Sequence, residues 1–420
     1  MSSIAQVVSC MDGYDPEALR VDKASAAIRA CLTPVAEIET VAIRDSLGRV
    51  LAQDIVPRIN VPGDDNSAMD GWAVRSADLS FSQDVFLREI GSAFAGKVFQ
   101  GKIQAGECVR IMTGAVMPQG ADTVVAQEVC GADQSRITIP AGQKAGRNVR
   151  AAGEDLKAGV AVLRPGQPVR AADLGLIASL GIAEVKVKRR LRVAFFSTGD
   201  ELVSIGTPLA PGQVYDSNRY TLHGMLSGLG VEIIDMGVIR DDPRKLEAAF
   251  AAAAANADAI ITTGGVSVGE ADFVKQLMAR LGEVLFWKIA MRPGRPMAFG
   301  RIGKAFLFGL PGNPVAVMVT FHQFVRDALL VLGGRTDAFE IPLLKAASAG
   351  AIRKVPGRTE YQRGVLFSEN GAWQVRTTGQ QGSGVLRSMS EANCFIVLEH
   401  ERGKVEAGEL VSVQLMAALT

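Results

Sequence analysis

The sequence predicts a multidomain α/β protein, with a central doubly wound, mostly parallel sheet accompanied by β-rich modules. Three observations carry this. The chain has 420 residues, beyond the size at which one hydrophobic core stops growing, so two or more domains are expected. Hydrophobic residues make up 48% and charged residues 21%, which suits packed cores and argues against disorder. From residue 190 to residue 335, short apolar runs alternate with helical patterns of ten or more residues. That alternation implies right-handed crossovers over a parallel sheet covered on both faces.

Each element follows from local pattern. "PEALRVDKASAAIRA", starting at Pro16, has apolar residues at helical spacing and predicts a helix, followed by the strand "ETVAIRD". After "VPGDDNSAMDGWAV" the composition turns to glycines, β-branched residues and short alternating runs, as in "ECVRIMTGAVMPQGADTVVAQEV" and "SRITIP". This texture, continuing to about residue 150, predicts a small β-rich domain. Residues 159 to 187 read as a short strand, the helix "AADLGLIASLG" and the strand "AEVKVKR". The α/β segment contributes the strands "RVAFFST", "VEIIDMGVI", "DAIITTGG", "VLFWKIA" and "KAFLFGLPG". Between and after them come the helices "SNRYTLHGMLSGLG", "DPRKLEAAFAAAAANA", "EADFVKQLMARL" and "PVAVMVTFHQFVRDALLVLGG". The alanine run 248 to 255 is helix, because alanine is the best helix former. "FEIPLLKAAS", "TEYQRGVLF", "AWQVRTT", "CFIVLEH" and "ELVSVQLM" then read as the short strands of a compact all-β module.

Bulk charge excludes several function classes. Lys plus Arg number 45 against 44 Asp plus Glu, so no global field recruits nucleic acid or an anionic membrane surface. Five cysteines without a CxxC pair and three scattered histidines argue against a zinc site or disulfide framework. The N-terminus lacks a basic region followed by a long apolar segment, and no stretch approaches about eighteen uninterrupted apolar residues. A cytoplasmic protein with no membrane partner is expected. Neither GxxxxGK[ST] nor GxGxxG occurs, which disfavours the common nucleotide fingerprints.

In an open α/β sheet, ligands bind beyond the carboxyl ends of the strands. Three strands here end in loaded loops: "STGDEL" (Ser197 to Leu202), "RDDP" (Arg240 to Pro243) and "TTGGVSVGEAD" (Thr262 to Asp272). Gly264 and Gly265 let the backbone approach a ligand, and their N–H groups with the next helix dipole suit a phosphate. Asp200, Glu201, Asp241, Asp242, Glu270 and Asp272 would repel an anion unless a hard divalent cation intervened, and Mg²⁺ bridges one or two carboxylates to substrate phosphates. The competing reading makes these acids helix caps. Positive charge comes from "FWKIAMRPGRPMAFG", with Lys288, Arg292 and Arg295, where the arginine fork suits oxyanions. A solvated strand end is the alternative there. "LPGNPVAV" places Gly312, Asn313 and Pro314 at a helix start, which an oxyanion site and a plain helix explain equally well.

Taken in order, "DNSAMDGWAV", "TTGGVSVGEADF", "RPGRPMAFG" and "LPGNPVAV" resemble the molybdopterin molybdenumtransferases of molybdenum cofactor biosynthesis, a family related to the C-terminal domain of gephyrin. The resemblance spans essentially the whole chain. It implies an elongated segmented domain (16–56 and 154–188), a β-rich inserted domain (57–153), an α/β molybdopterin-binding domain (189–336) and a C-terminal β-barrel (337–420). It also implies a homodimer whose active site joins the α/β domain of one subunit to the first two domains of the other.

The implied reaction inserts molybdenum from molybdate into adenylylated molybdopterin with Mg²⁺ present, releasing AMP. By this resemblance Glu201, Asp241 and Asp272 position metal and pyrophosphate. Lys288 and Arg292 are a basic pair, the second being arginine where many relatives have lysine. Arg358 and Ser383 contact molybdate, while Gly264, Gly265, Ser267 and Pro293 bind substrate. Asp70, Thr113 and Asp155 come from the first two domains. The competing functions are the preceding adenylyltransferase step, whose enzyme is also an expected partner, and a non-catalytic scaffold of the gephyrin type.

Overall fold

The computed structural model of the chain describes residues 3–9, 14–265, 272–337 and 341–416. Near the N-terminus, Ile38–Ala42 pairs antiparallel with Glu184–Lys188, from Ile38↔Lys188 to Ala42↔Glu184. The alternation in "EVKVK" sends Val185 and Val187 inward, where they meet Leu51, Ile55, Leu156, Leu163 and Ile177 of the helix Ala171–Ser179. The short strand expected early in residues 159 to 187 is instead a set of isolated bridges, including Ile55↔Leu163 and Val50↔Pro168. Pro165 and Pro168 each lack an N–H, so this segment does not sustain a ladder.

Between the two halves of this segmented domain lies a six-stranded sheet, ordered Thr123–Ala126, Gly71–Val74, Glu107–Ile111, Val85–Ala93, Arg136–Ile139, Gly131–Asp133. Its strands bury both faces. Trp72, Val74 and Cys108 pack on one side, and Ala73, Val109 and Ile111 on the other.

The first long helix is Val21–Cys31, later than the Pro16 start that spacing suggested. Residues 16 to 19 serve the central domain instead: Lys288 N–H donates to the Pro16 carbonyl at 2.7 Å, and Leu19 N–H to the Lys288 carbonyl at 3.1 Å. Backbone groups engaged across elements in this way are unavailable to a first helical turn.

The central domain runs β1 (Arg192–Thr198), α1 (Ser217–Gly228), β2 (Glu232–Ile239), α2 (Pro243–Asn256), β3 (Ala259–Thr263), α3 (Asp272–Leu281), β4 (Gly282–Lys288), β5 (Met291–Arg292), β6 (Pro296–Ile302), β7 (Ala305–Leu310) and α4 (Pro314–Leu332). Its sheet is ordered β2-β1-β3-β7-β6-β4. The pairs β2/β1, β1/β3 and β3/β7 are parallel, and β7/β6 and β6/β4 antiparallel. Leu222 and Leu226 of α1 and Val315 and Val319 of α4 pack on one face, with Leu246 and Phe250 of α2 and Leu277 of α3 on the other. The sheet is thus doubly wound. Residues 296–302, read from sequence as the tail of a basic loop, form β6.

α4 is long and apolar enough to span a bilayer, yet 67% of it is buried inside the fold. It is one axis of the core. A π turn at Phe321–Val325 interrupts it, a local defect frequent at functional sites.

The C-terminal module contains β8 (Leu343–Ser348), β9 (Thr359–Glu369), β10 (Ala372–Thr377), β11 (Cys394–Leu398) and β12 (Leu410–Leu415). The order β9-β10-β8-β12-β11 returns to β9, closing a five-stranded barrel around Leu366, Val375, Ile396, Val411 and Val413. All five strands overlap the runs picked from sequence, although β8 starts only at Leu343, and Phe339 and Glu340 of its run lie outside the described residues. β5 pairs in parallel with β9, matching Met291↔Thr359 and Arg292↔Glu360, so the barrel is stitched to the basic corner of the central domain.

Candidate active site

Sheet direction decides which loops meet. β1, β2, β3 and β7 are parallel, so Gly199 to Glu201, Arg240 to Asp242, Gly264 to Gly265 and Pro311 to Asn313 all leave from one edge. β4 is two antiparallel steps from β7 and therefore ends at that same edge, where Lys288 lies opposite Pro296. The acidic loops, glycine loops and basic corner share one rim, the place where open α/β sheets bind ligands.

At Gly264, with φ +88°, an added Cβ would stand 2.5 Å from the Thr198 carbonyl oxygen, so only glycine lets the β1 and β3 loops approach this closely. Gly312 lies alongside, 3.9 Å from the Gly264 Cα measured from an ideal Cβ. Asn218 in the first turn of α1 donates to the Gly312 carbonyl at 2.7 Å. Asp216 caps that helix through the Arg219 N–H at 3.1 Å. Sequence reasoning passed over Asp216 and Asn218. "DSN" opening a helical pattern signals the cap, but the tie to Gly312 spans 94 residues.

The acids divide into two kinds. Asp242 accepts from the N–H groups of Arg244 and Lys245 at 2.9 and 3.1 Å. The Lys245 N–H leads in holding its carboxyl below the usual range. It caps α2, as the competing reading had it. Glu201 folds back over Gly199, its carboxylate oxygens 2.6 and 2.7 Å from an ideal Cβ there, and faces solvent. Asp241 is exposed two residues beyond β2. Ser267 and Glu270 lie outside the described residues, as does the side chain of Asp272, whose backbone begins α3. Among the described residues no three His, Cys, Asp or Glu side chains form a metal cage. Two exposed carboxylates following adjacent strands still suit Mg²⁺, which draws its remaining ligands from substrate phosphates and water.

The basic corner is more elaborate than its sequence suggested. Lys288 ion-pairs with Glu17. Arg292 precedes a cis peptide bond to Pro293, and its Nη1 lies 4.0 Å from Oε1 of Glu360. Arg358 Nε lies 3.4 Å from the same oxygen. Arg295 and Arg358 line a cleft of about 270 Å³ with Glu17, Met291, Pro356 and Gly357. Ser383 offers its carbonyl to the Val315 N–H of α4 at 3.1 Å, which brings the barrel loop to the "GNP" turn. The fully buried Arg363 secures that loop, donating to the Gly382 carbonyl at 2.9 Å and the Ser388 hydroxyl at 3.0 Å. Burial, aided by the nearby Arg292 charge, lowers its pKa to about 10. Glu17, Glu360 and Arg363 were not singled out from sequence. No local pattern marks them: Glu17 and Glu360 meet Lys288 and Arg292 from far along the chain, and Arg363 holds a loop about twenty residues on.

Asp70 and Thr113 are brought together: Thr113 N–H and hydroxyl both donate to Asp70 Oδ1 at 2.7 Å. These bonds, the N–H first, hold the Asp70 carboxyl below its ordinary range. Asp155 is exposed, and its N–H donates to the Val61 carbonyl at 3.1 Å. The hydrogen bonds of these three stay within residues 61–155, and none reaches the loops of the central sheet.

Comparison with known proteins matches the chain region by region. Residues 19–181 match the family described as MoeA N-terminal region (domain I and II), residues 194–331 the probable molybdopterin binding domain, and residues 345–416 the MoeA C-terminal region (domain IV). The chain is 44% identical to the molybdopterin molybdenumtransferase of Haemophilus influenzae over 94% of its own length and 98% of the relative's. It is 35% identical to that of Bacillus subtilis, covering 90% of each chain. Among solved structures, a molybdopterin biosynthesis moeA protein from Pyrococcus horikoshii aligns at a TM-score of 0.83 and 28% identity, covering 95% of this chain and 100% of the other. The chain belongs to the molybdopterin molybdenumtransferase family.

Proposed function

We propose that this chain inserts molybdenum, supplied as molybdate, into the dithiolene of adenylylated molybdopterin, with cleavage of the phosphoanhydride and release of AMP. One observation carries the reading: glycine loops, exposed carboxylates and a cluster of arginines share one rim of the central sheet. Gly264, Gly265, Ser267 and the helix start at Asn313 suit the diphosphate and its neighbours. Glu201 and Asp241, with Asp272, would hold Mg²⁺, which supplies charge neutralisation at the phosphates when bound. Lys288, Arg292, Arg358 and Ser383, beside Pro293, offer donors to a tetrahedral dianion. The chain's own contribution is positioning and electrostatic preorganisation.

We infer a homodimer, in which Asp70, Thr113 and Asp155 complete the partner subunit's site. Support comes from the absence of any hydrogen bond between these residues and the loops of the central sheet within one chain, and from the short hydrogen bonds that hold Asp70 ionised. We place the reaction in the cytoplasm.

Purified protein mixed with adenylylated molybdopterin, Mg²⁺ and molybdate should release AMP and yield molybdenum-loaded cofactor. Absence of both products defeats the proposal. The same protein given molybdopterin and Mg-ATP should leave the ATP unconsumed, and adenylylation would favour the preceding step instead.

A further inference from the structure

We propose that Glu360 is a positioning residue that aims Arg292 and Arg358 at the oxyanion, an inference that rests on the molybdate-binding reading above. Glu360 is 3% exposed. A carboxylate so buried is unfavourable unless its oxygens are matched by cations and donors. Here Oε1 faces Arg358 Nε at 3.4 Å and Arg292 Nη1 at 4.0 Å, while Oε2 accepts from Gln362 Nε2 at 3.1 Å.

The two arginine side chains, by contrast, are 44% and 54% exposed. Each is tethered at one edge of its guanidinium and open at the rest. Engaging Arg358 through Nε leaves its terminal Nη groups available, the pair of donors that matches a tetrahedral oxyanion. Backbone register fixes the arrangement, since Arg292 lies directly opposite Glu360 where β5 joins β9.

Charge balance gives the second line of argument. Lys354, also buried, directs its ammonium to the carbonyls of His400 and Arg402 at 3.1 and 2.7 Å. Burial lowers the Lys354 pKa, and the charges of Glu360, Glu399 and Glu401 oppose that shift. Arg363 adds a buried cation beside Arg292, bonded to carbonyls and a hydroxyl rather than to a carboxylate. Three cations, Arg292, Arg358 and Lys354, therefore act on the Glu360 carboxylate, while Glu399 and Glu401 also act on Lys354.

A positioning role and a purely electrostatic one predict opposite signs. If Glu360 merely opposed anions, its removal would tighten oxyanion binding. If it orients the arginines, removal must weaken binding although the local charge becomes more positive.

The test is Glu360→Gln in the full-length protein, with molybdate binding measured by calorimetry and the molybdate KM and kcat measured from AMP release. Positioning predicts a rise of about tenfold in both Kd and KM, with kcat changed less, while the melting temperature reports any structural loss separately. Glu360→Asp, which keeps the charge but withdraws it by one methylene, should fall between. Unchanged or tighter molybdate binding in Glu360→Gln overturns the proposal. Should that variant fail to fold, Glu360→Asp decides: a raised KM supports positioning and an unaltered one refutes it. If the unmutated protein neither binds molybdate nor releases AMP, the functional reading falls and takes this inference with it. An active parent with an indifferent Glu360→Gln variant sinks the inference alone.

Discussion

The acidic half of the rim and its basic half are built differently. Among the described residues, the Glu201 carboxylate has no hydrogen-bonding or ion-pair partner and sits in solvent over a glycine. Arg292 and Arg358 are instead anchored to a buried carboxylate, Arg363 is locked onto a loop, and Lys288 pairs with Glu17. An exposed carboxylate needs no internal partner and can turn toward a cation that arrives with its substrate. A cationic seat for a small symmetric anion gains from donors already held in place, since less freedom is lost on binding. Under the proposed function, the diphosphate side would adapt to its ligand while the oxyanion side is preorganised.

Breaking the acidic half should give the largest effect. Glu201→Gln is expected to lower kcat/KM by about two orders of magnitude, raising the Mg²⁺ requirement while leaving the melting temperature nearly unchanged, because the side chain supports nothing internal. Steady-state AMP release at several Mg²⁺ concentrations measures this. A strong loss of folding stability would mean that Glu201 is structural.

Next comes the glycine floor beneath that half. Gly264→Ala adds a methyl group 2.5 Å from the Thr198 carbonyl oxygen at φ +88°, and urea denaturation should show a loss of roughly 2 to 3 kcal/mol.

A smaller effect is expected behind the basic half. His322 lies in the π turn of α4, with its ring centroid 6.1 Å from that of Phe395 of the barrel. Burial, with Arg326 adding, lowers its pKa to about 4 from 6.5. A folded-state pKa below the unfolded one means that the unfolded chain binds the proton first. Stability contributed by neutral His322 is therefore complete above about pH 6.5 and declines toward pH 4. Between pH 7.5 and 5 the loss should be about 2 kcal/mol. Comparing the urea midpoints of the parent and His322→Leu at the two pH values isolates this contribution.

Smallest is Arg358→Lys, which keeps the charge and loses the fork. It should raise the molybdate KM by about tenfold with little change in kcat. An unaltered KM would argue that the basic half supplies field rather than geometry.

Much of the frame was legible from the chain because it rests on local pattern. The strands of the α/β domain and barrel are short apolar runs bounded by glycine, proline or charge, and their packing faces follow period two. β6 escaped because Pro296 and the preceding "RPGR" read as loop. A proline is tolerated at the first residue of a strand, where its missing N–H disrupts little. The helix expected from Pro16 began at Val21, because residues 16 to 19 bond to the end of β4.

Of the site, the glycine and acidic loops were readable as loaded strand ends. Asp242 turned out to be a cap, the role its position before Pro243 equally predicted. Glu17 was unreadable as a partner of Lys288 across 271 residues, and Glu360 lies in a strand whose buried polar residues, Glu360, Gln362 and Arg363, look like solvent-facing positions in sequence. Such residues gain meaning only when the sheet and barrel bring them to their partners.

The division of labour across the rim is tested most directly by measuring KM for molybdate and for Mg²⁺, from AMP release, in Glu201→Gln and Arg358→Ala side by side. The account predicts a crossed result: Glu201→Gln raises the Mg²⁺ constant and leaves that for molybdate nearly unchanged, and Arg358→Ala does the reverse. Both variants raising the same constant, or each raising both equally, would contradict it.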